Sequence, residues 1–244
     1  MKRELGAYEE LLSMEISGCP EVHDALGNSS HPCHEIVNWQ KSKLPNLISI
    51  NSLWDSIAHR PEAWAGNLAD AKILFLGSNP SFNAREAFPD YTEEWEGEKL
   101  IDFAARRFEG SPSRPFGASD GPTAKEKDRV YLKTSRLYES KVTHWNELRG
   151  NAAAILGVPK NEVSPNRDYV MTELVHCKSE AEVGVDKALK TCVNRYIEKI
   201  FSVSKAKLIF VLGSKPGRHF ANVFPEMPET WGFWKDNGKT HGYW

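Results

Sequence analysis

The sequence predicts an α/β fold in which a central parallel sheet lies between two helical layers, a three-layer α/β/α arrangement. Three observations predict it. Lys72-Ile73-Leu74-Phe75-Leu76-Gly77 and Leu208-Ile209-Phe210-Val211-Leu212-Gly213 are continuous apolar runs ending in glycine, the pattern of strands buried on both faces. Tyr169 to Val175 reads as a further strand. Between it and the last lies Asp186 to Phe201, where Ala188, Leu189, Val193, Ile197 and Ile200 recur at helical spacing. Strands alternating with helices imply right-handed crossovers and a doubly wound sheet, whose sites lie at the carboxyl ends of its strands.

Taken in order, a helix is predicted around Glu4 to Met14, followed to about Pro45 by a loop-like arm rich in Gly, Pro, Ser and His. Further helical pieces precede the first strong strand. Residues 84 to 160 read as mostly helical, broken by Gly110-Ser111-Pro112-Ser113-Arg114-Pro115 and by Gly121-Pro122. No repeat or low-complexity segment is present. The length of 244 residues suits a single domain over 1–244, with 1–65 as an N-terminal cysteine-bearing arm.

Apolar residues make up 40% and charged residues 26%, and eight tryptophans argue against disorder. No apolar run approaches the roughly 18 residues of a membrane span. The start, Met1-Lys2-Arg3-Glu4-Leu5, lacks a signal-peptide pattern, so a cytoplasmic monomer without membrane contact is expected. A net charge of −2 excludes a broad basic surface, and any DNA footprint is therefore local. One candidate runs from Lys125 to Lys141, where Lys125, Lys127, Arg129, Lys133, Arg136 and Lys141 face only Glu126, Asp128 and Glu139. A solvated helix face explains the same charges.

Four cysteines, Cys19, Cys33, Cys177 and Cys192, in a chain without a secretory signal read as metal ligands or free thiols rather than disulfides. Cys177 follows a strand and Cys192 lies in the next helix, so the strand-to-helix return brings both to one place. If the arm folds back over them, four thiolates converge, as a 4Fe–4S cluster requires. A zinc site using Cys with His23, His31 or His34, and simple buried thiols, are the alternatives.

Three loops follow the strands: Gly77-Ser78-Asn79-Pro80-Ser81, Glu173 to Cys177, and Gly213-Ser214-Lys215-Pro216-Gly217. Each alone is ordinary loop punctuation, but together they line one rim. The last opens a helix, whose free N–H groups with Ser214 and Lys215 make a candidate DNA-phosphate site. The first loop and Thr172-Glu173-Leu174-Val175-His176-Cys177-Lys178 resemble the uracil-DNA glycosylase superfamily, most closely its iron–sulfur branch, over about residues 70 to 220.

The resemblance implies a central sheet of about four strands and a monofunctional glycosylase that flips a base out of DNA. Base loss passes through an oxocarbenium-like state, which needs a placed water and polar groups for the departing base. By resemblance Asn79 orients that water, through placement and dipole, since an amide is not a strong base. Ser78 joins the base-binding residues. The flipped base stacks on Phe82, or on Phe116 within Arg114-Pro115-Phe116-Gly117, which resembles the Arg-Pro-Phe segment of the iron–sulfur families. Cys19, Cys33, Cys177 and Cys192 become ligands of a structural 4Fe–4S cluster, with Cys19 and Cys33 spaced more widely than the family's Cys-x-x-Cys.

Glu173 departs from the family pattern, which has Asn there to read the uracil edge. A carboxylate only accepts hydrogen bonds unless protonated, and cytosine offers an N4 amino donor beside the N3 acceptor. An acid with its pKa raised by burial also donates to N3. This points to a modified cytosine, since excising the normal base would destroy the host genome. The superfamily's anti-phage branch acts on such a substrate, glucosylated hydroxymethylcytosine in viral DNA. Uracil repair and a catalytically silent DNA-binding iron–sulfur module are the alternatives, as is a Glu173 paired with a structural Lys or Arg.

The family's closing His-Pro-Ser type motif has no counterpart in Thr240-His241-Gly242-Tyr243-Trp244. His241 taking part of that role, a replaced motif, or a sequence that continues further are the open readings. His176, beside the Glu173 rim, is another candidate electrophile for the departing base.

Overall fold

The computed structural model describes residues 2–43, 59–83, 86, 88–91, 95–109, 129–131, 138–165, 167–223, 232–236 and 239–243. Its helices are α1 (Lys2–Ser17), α2 (Pro20–Leu26), α3 (His34–Ser42), α4 (Gly97–Ala105), α5 (Thr143–Leu156), α6 (Val185–Val203) and α7 (Ser214–Val223). Its strands are β1 (Ala65–Gly66), β2 (Ile73–Gly77), β3 (Arg129–Tyr131), β4 (Tyr138–Lys141), β5 (Tyr169–Glu173), β6 (Leu208–Val211), β7 (Gly232–Asp236) and β8 (Lys239–Tyr243).

The chain is α/β, built on a four-stranded sheet of order β1-β5-β2-β6. The three apolar runs are its parallel strands: β2 lies between β5 and β6, parallel to both. The sheet is mixed rather than wholly parallel, because β1 pairs antiparallel with β5 at the edge. Two residues, Ala65 and Gly66, are too few to carry an alternation that sequence could reveal. Thr172 Oγ1 adds to this edge by donating to the Ala63 carbonyl at 2.9 Å.

All five residues of β2 are buried. Leu74 and Leu76 pack in a core with Ile16 of α1 and Val193, Ile197 and Ile200 of α6. Ile73 and Phe75 enter a second core with Phe108 and with Leu148 and Ala152 of α5. Alternating strand residues thus feed two cores, and each buried Leu or Phe contributes about 1.5–3 kcal/mol.

The arm differs from its reading as a loop. Pro20 occupies the first turn of α2, where a missing N–H costs nothing, and Val22, Ala25, Ile36 and Val37 of α2 and α3 are buried in the first core. Gly184, with φ of 74°, caps α6 where any Cβ would overlap the Ile36 backbone, so α3 seats directly against the start of α6. The stretch 84–160 holds α4 and α5 as expected, but also the β3–β4 hairpin.

Candidate active site and cysteine cavity

β2 and β5 end together, Gly77 opposite Glu173, so the loops that follow leave the sheet side by side. Leu174 N–H donates to the Gly77 carbonyl and Val175 N–H to that of Ser78, both at 3.0 Å, and Ser179 N–H reaches Pro80 at 3.2 Å. The two motifs therefore form one surface. Beneath it is a cavity of about 240 Å³ whose walls include Ser78, Asn79, Glu173, Trp64, His144 and Trp145.

Asn79 is fixed by its amide nitrogen, which donates to Ser179 Oγ at 3.0 Å, the Pro80 carbonyl at 3.1 Å and the Cys177 carbonyl at 3.4 Å. With Nδ2 so engaged, Oδ1 is the atom left to accept a hydrogen bond from a ligand or water. Ser78 Oγ is buried with no hydrogen-bond partner.

Glu173 is buried, and its Oε2 has no partner. Burial pushes its pKa well above the usual carboxylate range, Glu62 adds to the rise and Lys178 opposes it. Four charges lie beside it. Arg107 contacts Glu62 at 3.0 Å and Glu86 at 2.5 Å, while Lys178 reaches Glu62 at 2.8 Å and Glu86 at 3.5 Å. Two cations and two carboxylates pair with each other, and Lys178 offsets only part of the effect of burial on Glu173. The Arg107 guanidinium also lies 4.7 Å from the Trp145 ring centre, and Lys178 lies 3.8 Å from that of Phe88. Glu62, Arg107 and Lys178 all reach the cavity wall. Their separation along the chain left no periodic signal to find them by, nor was His144, at the start of α5, singled out.

The other sequence candidates fall elsewhere. Phe82 packs between Trp39 and His59, at centroid distances of 5.1 and 4.9 Å, and is not among the residues lining the cavity. Phe116 lies outside the described residues, as does most of the basic stretch 125–141. His176 turns away from the rim onto the cysteine cavity. Its Nδ1–H donates to the Glu62 carbonyl at 2.9 Å, and burial lowers its pKa to about 4, so it is neutral at pH 7. Lys215 is held by Glu182 at 3.0 Å and Asp186 at 2.9 Å, which engages its ammonium with carboxylates rather than leaving it open to phosphate. Ser214 begins α7, and His241 sits in β8 opposite Trp234; the side chains of both lie outside the described residues.

All four cysteines are free, buried and line a second cavity. Cys19 precedes α2 and Cys33 precedes α3, Cys177 leaves β5, and Cys192 lies in α6. Burial raises every one of these thiols; neighbouring cysteines raise Cys33, Cys177 and Cys192 further, with Cys33 pushed up to about 12. Four thiolates would repel one another there unless a cationic group joined them. Among the described residues no three Cys, His, Asp or Glu side chains are grouped so as to hold a metal ion. Neither His31 nor His34 lines this cavity: His31 bonds Glu21 at 3.1 Å and His34 the Ala25 carbonyl at 2.8 Å.

No protein-family model matches the chain, and no curated protein matches it in sequence. Among the described residues no helix is long and apolar enough to cross a membrane.

Proposed function

We propose that the chain is a monofunctional DNA glycosylase of the uracil-DNA glycosylase type, hydrolysing the N-glycosidic bond of a non-standard pyrimidine to leave an abasic site. One observation carries the reading: Glu173, a buried carboxyl whose Oε2 has no partner and whose pKa is raised by burial, shares a cavity wall with Asn79. With a flipped base in the cavity, Asn79 Oδ1 accepts from a water and directs its oxygen at C1′. The C1′–N1 bond breaks and its electron pair leaves with the base. Glu173 donates its proton to N3 and accepts from N4–H, so the base departs neutral; the water adds to C1′ and releases its proton to solvent.

A neutral acid also serves uracil, donating to O4 and accepting from N3–H. That neutrality supports uracil excision in base-excision repair as the second reading. Modified cytosine, such as glucosylated hydroxymethylcytosine in phage DNA, is favoured by the carboxyl itself, which accepts from cytosine N4–H where the resembling families carry Asn.

That four buried thiols line one cavity supports an iron–sulfur cluster as the cofactor, with Cys19, Cys33, Cys177 and Cys192 drawn together as its ligands when it binds. Such a cluster would crosslink the arm, the β5 loop and α6; hydrolysis calls for no electron. The paired cores on alternate residues of β2 support the three-layer arrangement. We take the protein to act on DNA as a cytoplasmic monomer.

The test is base release from matched duplexes carrying uracil, cytosine, hydroxymethylcytosine or its glucosylated form, scored by alkaline strand cleavage. Release of modified cytosine alone, lost in Asn79→Ala, is the expected result. Release of uracil alone establishes the second reading. DNA binding that survives Asn79→Ala, with no base released, means a non-catalytic module.

A further inference from the structure

We propose that Glu21, with His31 and Arg195, forms a latch that holds three of the four cysteines in place, with Glu21 as its positioning residue. The ligand rests on the cluster reading above; the latch rests on hydrogen-bond geometry alone. Cys33 N–H donates to His31 Nδ1 at 3.1 Å. Because a backbone amide can only donate, Nδ1 is the acceptor and the ring proton sits on Nε2. His31 Nε2–H therefore donates to Glu21 Oε2 at 3.1 Å, while Arg195 Nη1 donates to Glu21 Oε1 at 2.9 Å. One carboxylate receives both links.

Each link ends beside a thiol. Glu21 is two residues past Cys19, His31 is bonded to Cys33 itself, and Arg195 is about one turn of α6 past Cys192. Glu21 and Arg195 also form part of the cavity wall. Cys177 is secured separately: Glu62 N–H donates to the His176 carbonyl, and His176 Nδ1–H donates back to the Glu62 carbonyl, both at 2.9 Å. A cluster must gather sulfurs from segments distant in sequence, and ordering them beforehand removes part of the entropy that binding would otherwise lose. Glu21 supplies that order for α2, for the loop before α3, and for their seat on α6.

The experiment compares wild type, Glu21→Ala, Glu21→Gln and a control, Lys199→Ala. The control breaks the α6–α1 ion pair to Glu15, at 2.6 Å; Lys199 does not itself line the cysteine cavity, and Glu15 meets Arg195 only at 4.0 Å. Iron and acid-labile sulfide are measured after anaerobic reconstitution with ferrous iron and sulfide, then the rate of iron loss to a chelator. In the apoprotein, thiol reaction with an aromatic disulfide reagent is timed. Glu21→Ala is expected to lose iron, and to expose its thiols, about 10- to 100-fold faster than wild type, the usual effect of removing a ligand's supporting partner. Glu21→Gln falls between them, since its amide keeps one acceptor. Lys199→Ala stays within roughly twofold, as partly exposed ion pairs contribute little. Matching rates in Glu21→Ala and Lys199→Ala overturn the latch. Should Glu21→Ala not fold, Arg195→Gln takes its place under the same two outcomes. If wild type takes up no iron and sulfide, the cluster reading falls, and the thiol rates alone decide the latch: faster in Glu21→Ala supports it, unchanged overturns it.

Discussion

Gly77 and Glu173 face each other across paired parallel strands, and the Glu173 carboxyl fills the space where a side chain on Gly77 would begin. The glycine that ends β2 is thus the floor on which the acid lies. Gly77→Ala is expected to displace that carboxyl, at about 1–3 kcal/mol of stability from overpacking. Base release should fall about 100-fold through misplacement of the acid. Thermal melting and single-turnover base release measure the two effects; an unchanged rate with an unchanged melt would show that the carboxyl does not need this position.

Burial, with Glu62, raises the pKa of Glu173, so between the ordinary value of 4.5 and the folded value the native state holds a proton the unfolded chain does not. Stability therefore falls as pH rises through that window, and Glu173→Gln, which never ionises, should not show this slope. Activity should follow the same sign. Wild-type base release declines as pH rises through the folded value, whereas Glu173→Gln is flat and lower by about 100-fold or more, having lost the acid proton. A Gln variant with wild-type rate, base preference and pH profile would remove Glu173 from the chemistry.

Although burial alone would raise them, the cations Arg107 and Lys178 hold the carboxyls of Glu62 and Glu86 below their ordinary range. Their contribution is present above pH 4.5 and is lost as pH falls through the folded values. Arg107→Met leaves two carboxylates sharing one cation and is expected to cost about 3–5 kcal/mol. Adding Glu86→Gln restores charge balance, so the double variant should be more stable than Arg107→Met. Denaturant melts of the four proteins in this cycle test it, and additive losses would mean the charges are not coupled.

His176 is held neutral by burial, with a pKa near 4 against an ordinary 6.5. The native state gains from the neutral ring at pH 7, and that gain disappears as pH falls from 6.5 to about 4. At about 1.4 kcal/mol per unit the whole effect is about 3 kcal/mol. His176→Asn places an amide N–H near the position of Nδ1–H and should flatten this part of the stability profile. Equal slopes in acid titrations of the two proteins would place the titration on another group.

β2 was legible because a strand covered on both faces is apolar at every position, and β6 and most of β5 were legible as similar runs, although β6 is only partly buried at Leu208, Ile209 and Phe210. α6 was legible from its 3.6-residue period, and Glu173 from one departure within a recognisable pattern. The two-residue β1 was not, because it owes its extended form to β5. Nor were α2 and α3, whose Pro, His and Gly suggested a loop until burial of Val22 and Ile36 is considered.

By itself, then, the amino-acid order determined the class of fold and the loops that meet at the strand ends. Local apolarity and spacing encode these directly. Tertiary structure alone decided that the four thiols share one cavity with His176, that Lys215 is engaged by Glu182 and Asp186, and that burial raises the pKa of Glu173 beside Glu62 and Lys178. Protonation and ion pairing depend on distance and burial, and both arise only when segments remote in sequence are packed together.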